Sequence, residues 1–390
     1  MCFCVHVSLL FVLFLFYVCY CGLFVIFKFF GFGWSVNWEG CVGNMMFYKY
    51  PEIENAYQDG FIQHIKDAGY GDFAYLVTEK VHGANTQFTY NLLSKEFFIG
   101  SRSKFLEDGE PFFNVQACVE PFKDNVLQLV SILSDELAKY GQRIVSVSVF
   151  GEVCGGCYPH PDVPLDKKAV KVQKGVYYSP SNQWLVFDVG YVLAGSDRMF
   201  FLPGSKFVSS CLFVGLPVVP VLSIAGSLDE ALAFPNSGDS VVFERYDLPK
   251  LDGNTMEGIV IRPQFVDAWF GHSRLVLKSK NDAFKEKWKT KRGKEAEKAD
   301  VPEKVKQAMD EISQYINRNR VHNVISHIGE VSSADVGKVI MLVSQDVLSD
   351  YRKEYDTLSF LDKKDEKMVT KFMNGEVAKC VRDVIVYGMD

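Results

Sequence analysis

Glu79-Lys80-Val81-His82-Gly83-Ala84-Asn85 closes one short apolar run, Leu76 to Glu79, and leads into a second, Gln87 to Tyr90. Short runs rich in β-branched and aromatic residues, broken by a glycine, read as strand, turn and strand. A lysine at a strand end, followed three residues later by a glycine that lets the backbone turn closely, presents a primary amine from a rigid edge. Such an amine can attack a phosphorus or carbonyl centre. Taken alone, K-x-x-G is a weak signal, and a solvated surface lysine is the plain alternative.

Working outward from this turn, charged residues recur at strand edges. Ser101-Arg102 follows the run Phe97 to Gly100, Glu152 closes Ile144 to Glu152, and Phe187-Asp188 closes the run from Trp184 to Val189. Glu257 precedes Gly258 to Arg262, and Lys278-Ser279-Lys280 ends Arg274 to Lys280. Charges at the ends of strands with apolar interiors line a nucleotide cleft with polar tips on a rigid scaffold. Glu54 to Ala68 and Asn125 to Tyr140 read as helices, the second carrying Val126, Leu129, Val130, Leu133 and Leu137 at helical spacing. Residues 46–283 are therefore expected to form an α+β domain on antiparallel sheet.

Residues 284–301 change character. Lys285, Lys287, Lys289, Lys291, Arg292, Lys294 and Lys298 face only Glu286, Glu295 and Glu297. The stretch reads either as a solvated basic linker or as a phosphate-contacting bridge. Pro302 then opens a helical segment whose Val305, Met309, Ile312 and Ile316 share one stripe. Val321 to Ile328, Ala334 to Ser349 and Glu366 to Tyr387 continue it, so residues 302–390 are expected to form a small all-helical domain.

The 390 residues hold 42 basic and 48 acidic side chains, a net charge of −6, which excludes a nonspecific polyanion binder; nucleic acid would be met by a local patch. Residues 1–45 differ from the rest, with only Lys28 and Glu39 charged but five of the ten cysteines and nine of the 32 phenylalanines. Val7 to Phe27 is apolar and long enough to span a bilayer. A membrane anchor, a translated stretch upstream of a start at Met45 or Met46, and an atypical targeting signal are the three readings. Beyond residue 45 the cysteines Cys118, Cys154, Cys157, Cys211 and Cys380 are odd in number and scattered, so neither a disulfide framework nor a two-pair zinc site is signalled. Cys154-Gly155-Gly156-Cys157 has redox-motif spacing but reads better as a glycine turn after a strand. The chain carries no G-x-x-x-x-G-K-[ST] loop and no G-x-G-x-x-G fingerprint at a strand-to-helix turn.

The ordered set EKVHGAN, SR, FGE, FD, EGIVIR and LKSK resembles the covalent nucleotidyltransferases, the superfamily of polynucleotide ligases and capping enzymes. Within it the chain resembles the RNA ligase 2 family of phage ligases and kinetoplastid RNA-editing ligases, from Met46 almost to the C-terminus. The resemblance is strongest in EKVHGAN, in EGIVIRP, in KSKN at Lys278 to Asn281, and in the run from Asn319 to Glu330. That last run lies in the family's helical domain, where DNA ligases and capping enzymes carry an OB-fold. The implied fold is an antiparallel-sheet, ATP-grasp-like ligase domain followed by the helices. Ala84 stands where threonine is frequent and Arg262 where lysine is common, the second keeping charge but not geometry.

The resemblance implies an ATP-dependent RNA ligase, engaged in RNA repair, that joins 3′-OH and 5′-phosphate ends, nicks in duplex RNA foremost, using ATP and Mg²⁺, for which Mn²⁺ can substitute. Lys80 would take AMP as a lysyl phosphoramidate. The attacking amine must be uncharged, unlike an ordinary lysine with pKa of about 10.4; Lys278, Lys280 and the metal would drive its proton off and neutralise the α-phosphate. Phe187 would stack on adenine, with Glu79, Val81, Ile53 and Glu54 around the base. Arg102 and Glu152 would meet the ribose and Asn85 the α-phosphate. Glu257, with Glu152, would hold metal or orient the nucleophile, and His82 would act after adenylation. Arg320 and Asp346 would bind the RNA end, with Phe112 and Phe113 either near the strand end or in the core. DNA ligase, capping guanylyltransferase and a degenerate nucleic-acid-binding protein are the competing readings. A phage or viral enzyme of the host cytoplasm is expected, with a mitochondrial editing ligase as the alternative; membrane attachment depends on residues 7–27, and no obligate protein partner is evident.

Overall fold

The computed structural model describes residues 45–285, 301–386 and 388. The expectations for residues 7–27 and for most of the basic bridge, residues 286–300, lie outside the described residues. In chain order the strands are β1 (Ile53–Asn55), β2 (Tyr75–Lys80), β3 (Ala84–Asn91), β4 (Glu96–Ser101), β5 (Ile144–Cys157), β6 (Ser179–Leu193), β7 (Met199–Phe201), β8 (Val221–Ala225), β9 (Gly258–Pro263), β10 (Trp269–Phe270) and β11 (Ser273–Lys280). The helices are α1 (Asp59–Asp67), α2 (Val115–Val119), α3 (Lys123–Ala138), α4 (Gly204–Phe213), α5 (Leu228–Leu232), α6 (Glu303–Ser313), α7 (Arg318–Ile328), α8 (Val336–Glu354) and α9 (Lys363–Ile385).

Two sheets run through residues 53–280. The first runs β1-β11-β9-β2-β8 with β10 folded onto β11; the second runs β4-β3-β5-β6-β7. Every pairing is antiparallel except that of β1 with β11. The heptapeptide from Glu79 to Asn85 is the crossover between them: β2 ends in the first sheet at Lys80 and β3 begins in the second at Ala84. The larger core packs the second sheet against α3, whose Val126, Leu129, Val130 and Leu133 are buried, and around Trp184. The Trp184 indole Nε1 donates to Thr86 Oγ1 at 3.0 Å. Gly151 leaves room for that ring, since a Cβ there would lie 2.1 Å from the indole nitrogen. A second core holds Tyr75, Val77, Ile259, Ile261, Leu275 and Leu277 under α1 and α5.

The C-terminal helices bury a stripe of their own. Along α9, Val369, Met373, Val377, Val381 and Val384 are buried at helical spacing against Val305, Ala308 and Ile312 of α6. Asn317 caps α7 by accepting the Arg320 amide at 3.1 Å. The architecture is thus α+β, antiparallel-rich sheets followed by helices, as the sequence leads one to expect.

Several local expectations need correction. The helix expected from Glu54 begins at Asp59, because Ile53–Asn55 is drawn into the first sheet by β11. Cys154 to Cys157 is not a turn after β5 but its last part. Gly155 and Gly156, at φ of +84° and +85°, let the strand bulge and continue pairing with β6. Both cysteines are free thiols. Asp188 is no strand tip but the middle of β6, fully buried. Phe112 and Phe113 are core residues, and Phe112 lies under Gly329, the residue that ends α7. Ile316 lies past the end of α6, yet packs on the same core as the rest of its stripe.

Candidate active site

Strand register assembles the site. Lys80 of β2 lies opposite Gly258 of β9, and Gly258 lies opposite Lys280 of β11, so two lysines flank a glycine that follows Glu257. A Cβ on Gly258 would sit 2.1 Å from the Ser279 carbonyl oxygen, so only glycine lets the strands close at this row. The Glu257 carboxylate is 2% exposed; Lys80 Nζ lies 2.6 Å from it, Lys280 Nζ 3.2 Å and His82 Nδ1 3.4 Å. Burial would raise this carboxyl, but Lys80, Lys280 and His82 outweigh it and hold it well below the usual carboxylate range.

The turn after Lys80 is pressed onto β5. A Cβ on Gly83 would meet the Val153 carbonyl at 2.2 Å and Glu152 Cγ at 2.7 Å. Asn85 and Glu152 are partners across β3 and β5. Burial, against the lowering influence of Lys80 and with Glu257 adding repulsion, pushes the Glu152 carboxyl up to about 8. Glu79, one residue before the lysine, is buried and pushed up to about 7, with hydrogen bonds from Ser240 and the Val241 amide opposing the rise. Its Oε2 accepts that amide at 3.0 Å, while Oε1 has no partner among the described residues. A buried acceptor left open beside the site is a place for a ligand's donor.

Ile53, Glu54, Glu79, Lys80, Val81, His82, Asn85, Arg102, Glu152, Phe187, Glu257, Lys278 and Lys280 all border one cleft of about 1240 Å³. Arg320 and Asp346, from α7 and α8, border it from the helical side. Arg320 is buried: its Nε donates to the Tyr315 carbonyl at 2.8 Å and Nη1 pairs with Asp346 and, at 3.0 Å, with Asp350. Glu54 accepts the Ser273 hydroxyl at 2.6 Å. Phe187 packs edge-on to Tyr50 at 5.2 Å between ring centres.

Beneath this cleft lies a cluster that sequence reasoning missed. Asp188 Oδ2 accepts Tyr50 Oη at 2.7 Å and Arg274 Nη1 at 2.5 Å, and Arg262 Nη1 pairs with it at 3.1 Å. Arg262, read from sequence as a strand-edge charge, is thus committed to an internal anion. Asn236 was also missed; its Nδ2 donates to Ser279 Oγ at 2.8 Å and to the Lys280 carbonyl at 3.1 Å, fixing the end of β11. Tyr50, Arg274 and Asn236 stand in none of the quoted motifs, and although Asp188 and Arg262 do, their pairing joins strands far apart in the chain.

As for a divalent cation, no group of three or more His, Cys, Asp and Glu side chains is placed to hold one among the described residues. Glu257 is already engaged by cations. Of the two, Glu152 is the carboxyl left without an ion pair among the described residues, and burial favours its protonated form, so it would have to ionise to take a cation.

Glu152 and Glu79 make a pH prediction. Each titrates higher folded than unfolded, so their contribution to stability is full below the unfolded value and is lost as pH rises through about 8 and about 7. The ligand-free protein should therefore lose thermal stability from pH 5.5 to pH 8, and Glu152→Gln should flatten that slope. A Glu152→Gln profile as steep as the parent's would refute the assignment.

The RNA ligase family model matches residues 74–280 and the T4 RNA ligase 2 C-terminal model matches residues 298–379. RNA-editing ligase 1, mitochondrial, of Trypanosoma brucei brucei is 26% identical over 374 residues, spanning 80% of this chain and 77% of that protein. RNA-editing ligase 2, mitochondrial, of the same organism is 25% identical over 370 residues, spanning 79% and 84%. A Naegleria gruberi RNA ligase variant solved with ATP and Mn superposes with a TM-score of 0.38 at 12% identity, over 60% of this chain and 56% of that one. An apo variant gives 0.40 at 14%, over 61% and 56%, so the chain spans little more than half of these solved structures. With the first model covering the sheets that build the cleft and the second the helices beyond, the chain belongs to the RNA ligase family and is an enzyme of the RNA ligase 2 type.

Proposed function

We propose that this enzyme seals 3′-OH/5′-phosphate breaks in RNA, nicks in duplex RNA foremost, with ATP as the adenylyl donor and Lys80 as the nucleophile. The observation that carries the reading is the Lys80–Glu257–Lys280 row at the floor of a cleft that reaches the C-terminal helices. In the first step Lys80 Nζ, having lost a proton, forms a bond to the α-phosphorus, and the bond to the pyrophosphate oxygen breaks. In the second, an oxygen of the RNA 5′-phosphate takes the adenylyl group and frees Lys80. In the third, the 3′-oxygen attacks that 5′-phosphorus and AMP leaves.

Each residue has a place in this scheme. Lys278 and Lys280 offset charge on the α-phosphate. Phe187 stacks on adenine, Glu79 Oε1 accepts from the base edge, and Ile53, Glu54 and the Val81 backbone close the pocket around it. Arg102 and Glu152 hold the ribose, Asn85 the α-phosphate, and His82 serves the later steps. Mg²⁺ or Mn²⁺, which Glu152 would hold, would supply Lewis-acid neutralisation of phosphate charge. Arg320 and Asp346 shape the roof where the RNA end sits. Because Arg320 is buried and ion-paired, its part there is to lock α7 to α8 rather than to reach out to phosphate.

The trypanosome relatives bear the name mitochondrial RNA-editing ligase, which favours the organellar alternative over a phage or viral origin. No described helix is long and apolar enough to cross a membrane. Duplexes nicked with RNA or DNA on the 3′-OH side test the substrate class. RNA there should be sealed with ATP and not with GTP. Sealing of DNA alone would favour a DNA ligase, and GTP use would favour a capping enzyme.

A further inference from the structure

The turn that carries the nucleophile has backbone groups belonging to neither sheet. Val81 to Gly83 lies between the end of β2 and the start of β3, outside both ladders. Buried backbone donors and acceptors must still be met, and here one strap, residues 170–178, meets two of them. Tyr178, 1% exposed, accepts the His82 amide on its hydroxyl at 2.8 Å. Gln173, 8% exposed, donates Nε2 to the Gly83 carbonyl at 2.6 Å.

The strap itself is pinned at both ends. Asn182 accepts the Val170 amide at 2.9 Å and donates to the Val170 carbonyl at 2.7 Å. Asn254 does the same for Tyr177, at 2.8 and 2.7 Å. Asn254 stands three residues before Glu257, and its carbonyl accepts the Ser240 amide at 2.9 Å, next to the Val241 amide that holds Glu79. The strap therefore spans from the loop that delivers Glu257 to the turn that delivers Lys80 and His82.

We propose that Gln173 and Tyr178 are positioning residues for adenylyl transfer: they hold the Val81–Gly83 turn at a fixed distance from Glu257, and with it the aim of Lys80. The inference rests on the ligase reading above. Neither side chain is among the residues that border the cleft. Their loss should misplace the amine without weakening ATP binding, and a nucleophile misplaced by about 1 Å loses roughly 10²-fold in rate.

The test is single-turnover transfer of labelled AMP from ATP to the full chain, comparing the parent with Tyr178→Phe and Gln173→Ala. Tyr178→Phe removes one oxygen and keeps the buried ring. Each variant is expected to slow labelling by about 10-fold or more, with the ATP concentration for half-maximal rate within about twofold of the parent. The final fraction of labelled chains should equal the parent's. A purely structural role would instead lower that final fraction while the rate of the surviving molecules stayed the same, and this would overturn the proposal, as would labelling at the parent's rate. If the parent chain itself takes up no label, the ligase reading fails and the positioning role falls with it.

Discussion

Asp188→Ala should destabilise the catalytic half by about 3–5 kcal/mol, read as a lower urea midpoint, because it strands the buried Arg262 guanidinium and takes from Arg274 one of its two carboxylates. Asp188 is 0% exposed, and Arg262 and Arg274 are 3% and 2% exposed. Its Oδ2 joins Tyr50, from the segment before β1, to Arg274 of β11, and pairs with Arg262 of β9, while Asp188 itself belongs to β6 of the other sheet. One carboxylate thus ties the two sheets together. After its removal Arg274 keeps Asp267 at 2.5 Å, but among the described residues no other carboxylate is paired with Arg262. Burial would raise this carboxyl, yet Arg274 and Arg262 hold it below the ordinary range. Its stabilisation is therefore present above about pH 4 and is lost as pH falls. This is opposite in sign to the effect of Glu152 and Glu79. A variant as stable as the parent would show that the cluster is not what joins the sheets.

Glu257→Gln should slow adenylyl transfer to the protein by roughly 10²-fold while the chain stays folded. The carboxamide has the same shape but cannot gather the cations that Glu257 gathers: Lys80 at 2.6 Å, Lys280 at 3.2 Å and His82 at 3.4 Å. Without the anion the two ammonium groups repel and Lys80 leaves its place over the cleft floor. Single-turnover labelling with ATP measures the effect, and an unchanged rate would mean that Glu257 does not place Lys80.

The sequence made visible those parts of the site that sit where a strand stops. Lys80, Glu152, Glu257, Lys278 and Lys280 each interrupt an apolar run, and a charge at the end of such a run has to face an opening. All of them border the same cleft. Ile53–Asn55 was not legible, because its pairing partner β11 lies more than 200 residues away and a three-residue strand has too short a pattern to separate from the helix that follows. Asp188 was misread for a related reason: a charge inside a run looks like an edge unless the arginines that pay for its burial are known. The Cys154–Cys157 stretch was read as a turn because glycines usually end strands, whereas here two of them in the left-handed region carry β5 through a bulge. Gln173 and Tyr178 reach backbone atoms about 90 residues earlier, a relation that periodicity does not encode.

The most direct measurement is the mass and peptide map of the full chain after incubation with ATP and a divalent cation. The account predicts that the protein gains one adenylyl group, carried by the peptide that contains Lys80, and that Lys80→Ala gains none. An adenylyl group on Lys278, on Lys280 or on no lysine at all would contradict it.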